Sequence, residues 1–95
     1  MDQPAPQQDP VERLRARLNE VHDWPSVYMY KMVLEPDEDK IAALLAIFPP
    51  EAEVLRRYSG SGRFVSITLK QMVMSAEEVL DRYDRVHRLG GVMML

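Results

Sequence analysis

The chain has 95 residues, a formal net charge of −3 and no cysteine. That length allows one domain, the missing thiols exclude a disulfide framework and any thiolate metal site, and the mildly acidic balance offers no global attraction to nucleic acid or anionic lipid. No apolar run approaches the roughly 18 residues of a membrane span, and the polar, proline-rich start lacks the basic and apolar regions of a signal peptide. A cytoplasmic protein without membrane association is therefore expected, and the absence of cysteine fits a reducing compartment.

Residues 1–8 carry too little apolar content to bury and read as a disordered tail. Residues 9–23 read as a helix. Asp9 is a good N-cap, Pro10 suits the first helical position, and Glu12 can close a capping box. Val11, Leu14, Leu18 and Val21 form a narrow apolar stripe. Trp24-Pro25 then breaks the helix, because the residue before proline is pushed out of the α region.

The rest, residues 24–95, reads as one folded unit. Ser26 to Leu34 alternates as a strand, with Tyr28, Tyr30, Met32 and Leu34 on one face and Lys31 on the exposed one. Glu35 to Asp39 is an acidic turn into a helix that buries Ile41, Leu44, Leu45 and Phe48 and stops at Pro49-Pro50. This acidic cluster lacks the alternate-position ligands and central glycine of a calcium loop, so no metal site is assigned. Glu53 to Tyr58 is a short strand with Arg56 and Arg57 on opposite faces, a pattern suited to a sheet edge. Ser59-Gly60-Ser61-Gly62 is a turn, its two glycines expected to supply positive φ. It leads into a strand whose Val65, Ile67 and Leu69 face one way and Ser66, Thr68 and Lys70 the other. Ser75 and Glu78 make a capping box for a helix burying Val79, Leu80, Tyr83 and Val86. On its outer face Glu78/Arg82, Asp81/Arg85 and Asp84/Arg88 read as solvated i,i+4 pairs. Gly90-Gly91 ends that helix, and Val92 to Leu95 is a last short strand. The order is β-α-β-β-α-β, which is α+β and ferredoxin-like: two helices on one face of a four-stranded antiparallel sheet, with an extra helix in front.

No catalytic group emerges. His22 and His87 sit near helix ends, where a cation opposes the dipole, and neither has a ligand at metal spacing on its own face. Ser66 has no activating partner. Gly60-Ser61-Gly62 joins two strands, so it is not a phosphate or dinucleotide loop. The expectation is a non-enzyme without cofactor.

Three segments carry a likeness to a known family. They are Trp24-Pro25 with Tyr28 to Val33, then Ser59-Gly60-Ser61-Gly62-Arg63-Phe64-Val65-Ser66-Ile67-Thr68, and finally Ala76 to Leu95 with Glu78-Val79, Tyr83 and the closing Gly91 to Leu95. Over roughly residues 22–95 the chain resembles the small bacterial YbeD-like proteins, whose fold is ACT-like. Where that family usually has a lysine, this chain has Ser61. The resemblance implies an ACT-like domain and, through it, regulation or ligand sensing. Sensing ACT domains admit an amino acid at a glycine-containing turn after the first strand. The corresponding Glu35 to Asp39 has no glycine and is acidic, which argues against a carboxylate there.

The function expected is a regulatory or protein-interaction module, acting on an unidentified protein partner or on a second copy. The alternatives are a small-molecule sensor for lipoate-related or amino-acid ligands and, less favoured, RNA binding. Phe64 to Ile67 partly echoes the third-strand motif of RNA-recognition domains. Its preceding basic residue and first aromatic are missing, because Gly60 and Gly62 occupy those places. The candidate partner-binding site is the hairpin around the Ser59 to Gly62 turn: Arg56, Arg57, Ser59, Gly60, Gly62, Arg63, Phe64 and Ser66. It adjoins a half-apolar outer face of Met29, Val33, Phe64, Ser66 and Thr68. A competing expectation is that the first helix covers this face and packs on Phe64, leaving the arginines only to protect an edge.

Overall fold

A computed structural model describes residues 9–95; the expected tail, residues 1–8, lies outside the described residues. The elements are α1 (Pro10–Val21), β1 (Ser26–Leu34), α2 (Glu38–Leu45), β2 (Glu53–Tyr58), β3 (Val65–Val73), α3 (Ala76–Leu89) and β4 (Val92–Met94). All neighbouring strands are antiparallel, in the order β2-β3-β1-β4. The described residues are thus α+β, with a four-stranded antiparallel sheet and three helices, consistent with a ferredoxin-like fold.

The helices begin where their caps dictate. Asp9 accepts from the Glu12 N–H at 2.9 Å, and Asp37 from the N–H groups of Asp39 and Lys40. Ser75 accepts from the Glu78 N–H at 3.3 Å. The expected boxes close differently. The Glu12 carboxylate turns to Arg15, and Glu78 reaches back to the N–H of Met74, one residue before the cap. α1 ends at Val21, short of Trp24-Pro25.

One layer of side chains joins sheet to helices. Tyr30, Met32 and Leu34 of β1 and Val65, Ile67, Leu69 and Val73 of β3 meet Ile41, Leu44, Phe48, Val79 and Val86. The period-two alternation decides this, since every inward position of β3 is buried. β2 is an edge strand and is exposed along its whole length. β4 pairs only with Met32 to Leu34 of β1, so it forms the other edge.

α1 corrects the expectation that it covers the sheet. It lies in the helix layer against α3, with Leu18 in the core and Arg15 Nε 2.5 Å from Glu77. Hydrogen bonds to Glu77 and then Glu12 raise the Arg15 pKa above its ordinary value. Of the four-residue stripe only Leu18 is buried, while Val11 and Val21 face solvent. The opposite face of the sheet has no element of the described chain upon it.

Candidate functional site

The β2–β3 hairpin is held by its own serines. The Ser59 N–H donates to the Phe64 carbonyl at 2.9 Å, and the Phe64 N–H returns to Ser59 Oγ at 3.1 Å. The Gly62 N–H donates to the Ser59 carbonyl at 2.9 Å. Of the two glycines in this turn Gly62 has positive φ, at 74°; Gly60 does not, contrary to expectation. Ser59 and Gly62 therefore shape the turn, Gly60 showing no feature that requires glycine, and the Ser59 hydroxyl is already engaged. Ser66 Oγ donates to the Arg57 carbonyl across the strands at 3.3 Å.

The arginines do not converge. Arg56 is opposite Ile67, on the helix side of the sheet. Its Nη1 lies 3.2 Å from Glu38 Oε1. Hydrogen bonding to Tyr58 and then to Glu38 raises its pKa. This places Arg56 away from the outer face and removes it from a shared basic cluster. Arg57 pairs with Ser66 in register and so faces outward. Arg63 and Phe64 are exposed at the hairpin tip.

The outer face extends well beyond the hairpin. Register places Met29 beside Lys70, Lys31 beside Thr68, and Val33 between Ser66 and Met93. Leu55 is 66% exposed, Met93 63% and Phe64 45%, and Val27, Met29, Met72 and Leu95 are exposed too. A run of apolar side chains this long on one face is characteristic of interfaces. Its relief follows from side-chain size. Small Ser66 and Thr68 on the central strand form the floor of a depression of about 310 Å³, walled by Leu55 and Arg57 on one side and Lys31 and Leu95 on the other. A second depression, of about 470 Å³, is lined by Phe64, Val33 and Met93 among others. Among the described residues three cations, Lys31, Arg57 and Lys70, stand on this face against two carboxylates, Glu53 in β2 and Glu35, which lines the second depression.

The sequence pointed to Met29, Val33, Phe64, Ser66 and Thr68, and the structure brings all five to this face. Leu55, Met72, Met93 and Leu95 were missed. Their signal was present: Val54-Leu55, Met72-Val73 and Val92 to Leu95 carry apolar residues at both parities, more than helices on one side can cover. The structure also moves Arg82, expected as half of a solvated pair. Its side chain is only 18% exposed, and its Nη1 pairs with Asp81 at 3.1 Å instead of with Glu78. The other two pairs, Asp81/Arg85 and Asp84/Arg88, form as expected. His22 caps α1, stacks on Trp24 and lies 3.3 Å from Ser26 Oγ. Among the described residues no group of three or more His, Cys, Asp or Glu could hold a metal ion, and no helix is long and apolar enough to cross a membrane.

No curated protein and no solved structure matches the chain. The family model described as "Protein of unknown function (DUF493)" matches residues 19–95, from the last turn of α1 through β4. The chain therefore belongs to the DUF493 family, a YbeD-like small protein of unknown function.

Proposed function

We propose that this chain is a non-enzymatic, ACT-like regulatory module of the cytoplasm that docks a protein partner on the outer face of its sheet. The observation that carries this reading is the uncovered apolar face, which α1 leaves open by packing on α3. Charge complementarity selects the occupant. With Lys31, Arg57 and Lys70 against Glu53 and Glu35, a small positive excess, the face suits a partner segment of mixed apolar and acidic residues. A second copy presenting the same face would bring together surfaces of the same net sign, so self-pairing is the weaker reading. Arg57 supplies a fork for a carboxylate, and Phe64 and Leu55 supply apolar anchors. Ser59 and Gly62 serve by fixing the turn that presents Arg63 and Phe64.

The test is a quantitative pull-down from native lysate with wild type, Leu55→Asp, Arg57→Glu and Arg63→Glu, and with Glu20→Lys on α1 as control. All four positions are exposed, so folding stability is expected to stay within about 0.5 kcal/mol of wild type. The three sheet-face and hairpin variants should lose a common set of proteins that the control retains. Retention of that set by stable Leu55→Asp and Arg57→Glu overturns the reading.

A further inference from the structure

A cavity of about 470 Å³ opens at the corner where β3 outruns β2. β2 begins at Glu53, opposite Lys70, so Gln71, Met72 and Val73 have a strand partner only in β1. The connection from α2 passes the gap with Pro49, Glu51 and Ala52, and α3 contributes Glu78 and Arg82.

Two side chains distinguish this corner from a simple gap in packing. Gln71 occupies an inward position of β3, between core residues Leu69 and Val73, and is only 7% exposed. Among the described residues its Oε1 has no hydrogen-bond partner, and neither has Nε of Arg82. Both residues line the cavity. The Tyr30 hydroxyl is a third buried atom without a partner, and Arg82 is the strongest charge acting on it. Desolvated polar groups left unpaired are rare in a fold, and they are repaired by water or by a ligand.

We propose that this corner binds a small amino-carboxylate, its carboxylate held by Arg82 and its amine by Gln71. The chemistry follows from the unpaired atoms. An N–H on a permanently cationic guanidinium takes an anionic oxygen, and an amide oxygen takes an N–H. The lining carries both signs, with Lys70 and Arg82 near Glu51, Glu53 and Glu78, which suits a zwitterion better than a simple anion or cation. Val27, Ala52 and Met72 give the hydrocarbon part a wall. The terminal amide torsion of glutamine is broad, so a turn of Gln71 brings its acceptor into the cavity. The corner lies at the start of β1, the opposite end from the Glu35 to Asp37 turn, and the inference does not depend on docking at the outer face.

The test is an NMR titration of the ¹⁵N-labelled full chain with the common L-amino acids, one at a time at millimolar concentration. The signals read are Arg82 Nε–H and the Gln71 side-chain amide. At least one amino acid should move both saturably. Its N-acetyl derivative and the amine lacking the carboxylate should each bind about tenfold more weakly or worse, the usual effect of losing a charge-assisted bond. Gln71→Leu and Arg82→Lys should weaken binding similarly while keeping a dispersed spectrum. The absence of a saturable shift with every amino acid in wild type leaves only a water-filled gap and overturns the proposal, whether or not the variants fold. Unchanged affinity in a folded Gln71→Leu does so too.

Discussion

Gly90 ends α3 at φ 77° and ψ 159°, a region open in practice only to glycine. Its N–H is shared between the carbonyls of Val86 and His87. A Cβ there would meet nothing within 4 Å, so the penalty of a side chain is backbone strain alone. Gly90→Ala should lower stability by about 1–3 kcal/mol. Gly60→Ala, equally open but without positive φ, should stay within about 0.5 kcal/mol; urea unfolding of both distinguishes strain from crowding. The tyrosines make a pH prediction at the same scale. The hydroxyls of Tyr28 and Tyr83 are 2.7 Å apart. Burial raises the pKa of Tyr30 and of Tyr83 above the ordinary 10.0, and for Tyr83 the bond to Tyr28 adds to it. The raised folded-state value means that their contribution is complete below about pH 10 and lost as pH rises beyond it. In a spectrophotometric titration Tyr30 and Tyr83 should give tyrosinate signal only as the fold opens. Tyr83→Phe should cost about 1 kcal/mol, whereas Tyr30→Phe, which removes a hydroxyl without a partner, should be neutral or stabilising.

At the scale of elements, α1 is held mainly by apolar burial. Leu18 sits in the core, while Arg15 meets Glu77 at the surface. Leu18→Ala should cost about 2–5 kcal/mol by denaturant unfolding, and Arg15→Ala much less, because water and salt screen its ion pair. How far these elements were legible depended on the period of their pattern. The alternation of Tyr28, Tyr30, Met32 and Leu34 and of Val65, Ile67 and Leu69 marked both long strands and their inward faces, and Asp9 and Ser75 marked two helix starts. The docking side of α1 could not be read, because a stripe as narrow as Leu14 and Leu18 fits the helix layer and the open sheet equally. Arg82 was misplaced because i,i+4 spacing from Glu78 resembles a solvent pair. It is the neighbour of Tyr83 on the arc facing the sheet, and Glu78 is engaged at the Met74 N–H. The opposite faces of Arg56 and Arg57 were legible, because successive residues on a strand face opposite ways; what the sequence did not show is that Arg56 meets Glu38 while Arg57 meets the outer face.

At the scale of the molecule, the charge is divided by side. The chain is acidic as a whole, yet its one uncovered sheet face is basic and apolar. Such a face should attract an acidic partner over distance and hold it by burial. Association should therefore slow as salt rises while the dissociation rate changes less, which surface-binding kinetics with a captured partner would show. The central claim, that the outer face is occupied by a partner, is tested most directly by methionine footprinting with mild peroxide. Met29 and Met93 stand on that face, and Met74 is exposed beyond the end of β3, near the cap of α3. Oxidation of each to the sulfoxide follows its exposure and can be read by mass spectrometry, in dilute purified protein and in native lysate. The account predicts that Met29 and Met93 slow severalfold relative to Met74 in lysate, and that Leu55→Asp abolishes the slowing. Equal relative rates in the two settings would contradict it.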